Sequence, residues 1–270
     1  MNHQDKVTST EKYDSLKVDK TYPIRYLPRV SSKSGQIIGI EEFLEWNEND
    51  QGRLDISFNN ALTSSDLAQL WRSRLTQLQR NFAFLKQHKC SPAIENPKFF
   101  FSLRLSSKQL ASDDWAMQLI HALDGSGIPG TCIEVDLIEH DDVSSCTPIG
   151  TYSMDIVHNA GIALTLNNFP GSPSSFLRLT HCKFDKIKIN KLMIPASHES
   201  ITAWARKRDV LVGLISIAIS MRTAVVVDGI EKEEQFDFLG SLPISEWQGP
   251  YWGEPHTIGE LLPRLQFLKR

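Results

Sequence analysis

Residues Ile162 to Asn190 read IALTLNNFPGSPSSFLRLTHCKFDKIKIN. The stretch opens on an aliphatic and β-branched run, Ile162 to Leu166, and passes through Asn, Pro and Gly into helical spacing from Ser174 to Leu179. It ends on a second apolar alternation, Lys186 to Ile189. Strand, helix, strand at this spacing predicts a βα unit, whose crossover makes the two strands parallel neighbours.

The same punctuation recurs on both sides. Runs of strand character fall at Ile24 to Val30, Gln36 to Leu44, Lys98 to Leu105, Thr131 to Leu137 and Thr223 to Val227, with a weaker one near Trp247. Between them, Leu67, Leu70, Trp71, Leu75, Leu78, Phe82 and Leu85 mark one face of a long amphipathic helix behind a Ser64, Ser65, Asp66 cap cluster. Further helices are predicted over Asp113 to Leu123, Ser174 to Leu179, Glu199 to Ser220, Lys232 to Leu239 and Ile258 to Leu268. Seven or eight strands alternating with helices in 270 residues predict an α/β fold, a single (β/α)8 TIM-like barrel over residues 22–270 behind a polar tail, residues 1–21. The alternative, a doubly wound sheet, usually carries a Gly-rich turn after an early strand, which this sequence lacks.

Composition narrows the function. Lys plus Arg at 29 against Asp plus Glu at 32 gives a net charge of −3, which excludes the basic footprint of a general nucleic-acid binder. The most apolar stretch, Val210 to Ile219, is about half of a bilayer span and reads as a buried barrel helix. The opening residues hold no apolar run, and Cys90, Cys132, Cys146 and Cys182 form no C-x-x-C pair. A cytoplasmic protein with reduced thiols and no membrane partner is therefore expected.

In a barrel of this kind, chemistry sits at the C-terminal ends of the strands. There the sequence places Glu41 and Glu42, Arg104, Asp136 and Glu139, Asn167 and Asn168, Lys188 and Asn190, Asp228 and Glu231, and Gln248. Any one Asp or Asn after a strand also reads as a turn residue or helix cap. Together they read as a polar barrel mouth, a ring of oxygens with one lysine that suits a divalent cation holding a phosphate ester. Other clusters carry less: His140, Asp141 and Asp142 read as a solvated loop. His88 with Cys90 and His181 with Cys182 lack further ligands at zinc spacing.

These segments resemble the EAL domain, a bacterial family of (β/α)8 barrels that hydrolyse cyclic di-GMP. YLPRV followed by SGQIIGIEEFLEW looks like the family's Y-Q-P-I-V strand and E-A-L signature. FSLRLSSKQL is similar to its V-N-L-S segment, and CIEVDLIEHDD to L-E-L-E-I-T-E-S. LTLNNFPGSPSSFLRL looks like the D-D-F-G-T-G-Y-S-S-L loop, FDKIKINKLMI like the K-I-D strand, VVVDGIEKEEQ like A-E-G-V-E-T, and WQGPYWGEP like Q-G-Y-x-x-x-x-P. The resemblance spans about residues 22 to 256.

The resemblance implies two Mg²⁺ or Mn²⁺ ions held by strand-end carboxylates, and the departures fall on those positions. Glu41 stands as the family has it, as do Lys188, Glu139, Glu231 and Gln248. Arg104 replaces an asparagine ligand, Asn167 and Asn168 replace paired aspartates, Asn190 replaces a third, and Asp136 and Asp228 shorten glutamates. Three lost carboxylates and one gained cation shift the mouth toward positive, and a guanidinium cannot act as a ligand. The vestigial metal positions Glu41, Asp136, Asn167, Asn168 and Asp228 are thus expected to be metal-free. Arg104 is expected to stand in for a cation by pairing with some of Glu41, Asp136 and Asp228, the alternative being that it points outward to solvent.

Lys188, Glu231 and Gln248 are the catalytic positions by resemblance, and Arg104, Lys188 and Gln248 the groups for any retained nucleotide. Glu45 and Leu27 stand where the family places an arginine and a polar group for that ligand, which weighs against binding. Two prolines, Pro170 and Pro173, stiffen the loop that in the family couples dimerisation to the metals. The resemblance then implies a catalytically inactive regulatory protein with no cofactor and an unknown protein partner. The alternatives are a weak cyclic di-GMP phosphodiesterase using Mg²⁺ or Mn²⁺, and a metal-independent cyclic di-GMP receptor.

Overall fold

A computed structural model describes residues 24–44, 63–88, 99–110, 114–138, 148–171, 174–196 and 199–266. The tail, Glu45, Cys90, Glu139, His140, Asp141, Asp142, Cys146 and Pro173 lie outside the described residues. Eight strands, β1 (Ile24–Ser31), β2 (Ile37–Leu44), β3 (Phe100–Ser106), β4 (Ile133–Ile138), β5 (Ala163–Phe169), β6 (Lys186–Ile189), β7 (Ala224–Val227) and β8 (Glu246–Trp247), close into a barrel in chain order.

The barrel is mixed, not wholly parallel. β1 runs antiparallel to both β2 and β8, while β2 to β8 are parallel. The reason is the short link between β1 and β2, a turn in which Gly35 takes φ 67° and donates its N–H to the Ser31 carbonyl at 2.9 Å. A link of that length makes a hairpin, whereas a parallel pair needs a crossover.

Between the strands run α1 (Ser64–Gln87), α2 (Ser107–Leu110), α3 (Asp114–Ser126), α4 (Pro148–Asn159), α5 (Ser174–His181), α6 (Ile201–Ser220), α7 (Glu233–Leu239) and α8 (Ile258–Gln266). The cap of α1 is Thr63, whose hydroxyl accepts from Asp66 N at 3.2 Å while Asp66 accepts from Thr63 N at 2.9 Å. Ser64 and Ser65 lie within the first turn instead.

Helix α6 corrects the expectation of an all-round buried helix. Leu211, Leu214, Ile215 and Ala218 are buried, but Val210, Val212, Ile217 and Ile219 are exposed. No helix among the described residues is long and apolar enough to cross a membrane.

Strand alternation sorts the barrel into two environments. Ile40, Leu103, Leu105, Val135, Leu137, Leu164, Leu166, Ile187, Val225 and Val227 belong to the apolar core that packs the strands against the helices. The alternate positions turn into the barrel, where branched aliphatics usually fill the space. Here the filling is charged: Arg29, Glu41, Glu134, Asp136 and Lys188 are each fully buried.

Candidate functional site

The charged filling forms two tiers. In the tier nearer the strands' N-terminal ends, Arg29 donates to Glu246 at 3.1 Å and to Glu134 at 3.3 Å. Lys186 closes the square, 2.6 Å from Glu134 and 2.7 Å from Glu246. Ser102 donates to Glu134 at 3.0 Å, and the Lys186 ammonium lies 3.9 Å from the Phe100 ring centre. That ring fills the space beside Gly39, where a Cβ would come within 2.6 Å of it. Burial alone would raise Glu134, but Lys186 and Arg29 hold it below the ordinary carboxylate range.

Two residues up each strand lies the mouth. Arg104 points inward, with Nε 2.7 Å and Nη2 2.5 Å from Glu41 Oε1. Lys188 donates to Glu41 Oε2 and, at 3.2 Å, to Asp136 Oδ2. Arg29 reaches up to Glu41 Oε2 at 2.7 Å and so joins the two tiers. Asn167 gives its amide N–H to Asp136 Oδ2 at 3.0 Å. Asp228 sits at the edge, about a third exposed and 3.8 Å from Lys188.

Two carboxylates thus meet opposite fates. Burial opposes ionisation of Glu41, but Lys188, Arg104 and Arg29 hold it well below its ordinary range. Burial pushes Asp136 up to about 7, because Lys188 is shared with Glu41 and the Glu41 charge lies nearby. Burial thus favours the neutral form of Asp136, and its Oδ1 has no hydrogen-bond partner among the described residues.

The remaining sequence candidates divide. Gln248 follows β8 directly and is fully buried, and neither its Nε2 nor its Oε1 finds a partner among the described residues. Asn168 adopts φ 62°, the left-handed region that asparagine tolerates, with its N–H on Asn167 Oδ1 at 2.6 Å. Asn190 is a cap: its side chain accepts from Leu192 N at 2.8 Å. Glu231 is exposed, and among the described residues no hydrogen bond or ion pair ties its carboxylate to the mouth. The structure therefore brings together Glu41, Arg104, Asp136, Asn167, Lys188 and Asp228 and leaves Glu231 and Asn190 outside. Sequence reasoning missed Arg29, Glu134, Lys186 and Glu246, although Glu134, Lys186 and Glu246 each lie two residues before a named candidate, on the same strand face.

A Mg²⁺ or Mn²⁺ ion needs several free, negatively charged oxygens. Both oxygens of Glu41 are engaged by cationic side chains, Asp136 Oδ2 faces Lys188 and the Asn167 amide, and Asp228 Oδ1 accepts from Gly229 N at 2.6 Å. The donor set does not fit a two-metal centre, because Arg104 occupies Glu41 Oε1, Lys188 and Arg29 occupy Oε2, and Asn167 offers an uncharged amide.

The EAL domain family matches residues 15–255. The oxygen sensor protein DosP of Escherichia coli K12 is 24% identical over 239 residues, covering 87% of this chain and 28% of DosP. The probable cyclic di-GMP phosphodiesterase PdeG of the same organism is 20% identical over 240 residues, 88% of this chain and 45% of PdeG. The chain thus spans less than half the length of these curated relatives. Among solved structures, the EAL enzyme Bd1971 bound to cAMP and cyclic di-GMP superposes with a TM-score of 0.77 at 19% identity, covering 95% of this chain and 67% of that one. The EAL domain of Mycobacterium smegmatis DcpA gives 0.73 at 16% identity, with 92% and 98% coverage. A mixed eight-stranded barrel with its polar mouth at the strand ends, matched by the family over most of its length, makes this chain a member of the EAL domain family.

Proposed function

We propose that this chain is a catalytically inactive EAL domain that works by binding, with a protein as its effective partner in cyclic di-GMP-related signalling. The observation that carries the reading is the double contact of Arg104 with Glu41 at 2.7 and 2.5 Å. A guanidinium there repels a divalent cation and cannot activate a water. The Asn167 amide supports it: it donates to Asp136, where an aspartate would present a second negative oxygen.

One observation favours a second reading, a metal-independent receptor for cyclic di-GMP. Gln248 is fully buried at the mouth with neither amide atom partnered among the described residues, which suits a ligand with complementary donors and acceptors.

Calorimetric titration of cyclic di-GMP into the protein in Mg²⁺, in Mn²⁺ and in chelator, with the recovered nucleotide assayed for hydrolysis, tests both. No heat and no product is the expected result, and affinity capture then identifies the protein partner. Intact nucleotide bound at micromolar concentration in chelator establishes the receptor; linear product in Mn²⁺ overturns the inactive reading.

A further inference from the structure

Two departures in the E-A-L signature, Glu42 and Phe43, converge with the retained Glu41 on a third departure, Arg104 in the V-N-L-S segment. Glu41, Glu42 and Phe43 occupy the signature, and all three touch Arg104. Glu41 holds its guanidinium from inside the barrel. The Phe43 ring centre lies 5.5 Å from the guanidinium carbon, within cation–π range. Glu42 points the other way, toward α1, where it is buried and paired with Arg74.

That outer pair grips the Arg104 backbone from both sides. Glu42 Oε1 accepts from Arg104 N at 3.2 Å, and Arg74 Nη2 donates to the Arg104 carbonyl. The β2–β3 ladder has its last paired residues at Glu41 and Ser102, so these side chains supply partners that the ladder does not. Arg74 is itself fixed, with its guanidinium carbon 4.9 Å from the Trp71 ring centre.

We propose that Arg104 is a built-in counter-ion of the EAL mouth, and that Glu42, Phe43 and Arg74 are the positioning residues that keep it on Glu41. The inference rests on the inactive reading above and gives its cause: the signature has been rebuilt around a side-chain cation, so the mouth excludes a divalent metal.

Two measurements on the full chain test it. In an electron paramagnetic resonance titration with Mn²⁺ alone, the wild type and Asn167→Asp with Asn168→Asp are expected to leave the free-ion signal unchanged, and the same double variant carrying Arg104→Asn to bind Mn²⁺ and diminish it. Mn²⁺ bound while Arg104 is present, or none bound by the triple variant, overturns the counter-ion. Arginine labelling with phenylglyoxal, read by peptide mass spectrometry, tests the positioning residues. In Phe43→Leu and in Glu42→Ala with Arg74→Met, Arg104 is expected to label about tenfold faster than in wild type, the change that about 1.4 kcal/mol of lost anchoring gives. The buried Arg29 and Arg178 stay unlabelled as internal controls for folding. If the double variant labels at those controls, Glu42→Gln, which keeps the shape and removes the charge, takes its place under the same criterion. Arg104 labelling unchanged in folded variants overturns the positioning role while leaving the inactive reading intact. Intact cyclic di-GMP bound in chelator by a wild type that binds no Mn²⁺ does the reverse, keeping the counter-ion and overturning the protein-partner reading.

Discussion

The two tiers inside the barrel are built from the same residue types and solve different problems. In the lower tier, Arg29 and Lys186 face Glu134 and Glu246, so two cations and two carboxylates alternate in a closed square. In the upper tier, Glu41 collects three cations while Asp136, sharing one, is pushed up to about 7, and Gln248 finds no partner among the described residues. A buried ion cluster is tolerable when its members satisfy one another, and costly where they do not. The lower tier therefore has the character of structural filling, although Arg29 Nε has no hydrogen-bond partner among the described residues. The upper tier keeps the unmet polar groups of a site.

The largest test of this contrast is Arg29→Met. It strips three buried carboxylates of a shared partner, and the expected loss is about 3–5 kcal/mol of unfolding free energy in urea. A loss below about 1 kcal/mol would mean that the square is not the closed unit described here.

Asp136→Asn is expected to act in the opposite sense and to depend on pH. With its folded pKa near 7 against an ordinary 3.8, Asp136 keeps a proton in the folded state that the unfolded chain has already released. Between these values the folded state binds more protons, so stability from this group falls as pH rises through the window. The variant removes that dependence, and thermal unfolding should show it gaining on the wild type by up to about 4 kcal/mol at high pH and little at low pH. An equal effect at both ends would assign Asp136 to the satisfied tier.

Smallest is Gln248→Leu. A buried amide with no partner costs about 1–3 kcal/mol, so its removal should leave stability unchanged or raise it by about 1 kcal/mol in denaturant titration. A clear loss would show that Gln248 is satisfied in solution and belongs with the lower tier.

The strands are legible because their apolar halves face the helices: the sequence predicts Lys186 to Ile189 with its observed bounds, and Ile24, Leu44 and Val227 are strand ends both as predicted and as observed. Helix α4 is not legible, since Pro148 and Gly150 stand in its opening turn and obscure its apolar spacing. The β1 reversal is not legible from alternation, which is the same in either direction; only the shortness of the turn around Gly35 reports it. At the site, the resemblance and charge arithmetic lead Arg104 to some of Glu41, Asp136 and Asp228, without singling out Glu41. Arg74 is not legible, because an arginine on the apolar side of α1 shows its role only when Glu42 and the Arg104 carbonyl stand before it.

Arg29 lies in the first strand, yet its partners are spread along the whole chain. Glu41 is 12 residues away, Glu134 is 105 and Glu246 is 217. During synthesis its guanidinium must wait for the last strand before it can leave water without loss. A barrel missing only β8 would enclose a charge and its attendants without their counterweight, so partial closure is disfavoured until the final strand docks. Satisfying one arginine and sealing the barrel are then the same step, which ties the two ends of the chain into a single cooperative event.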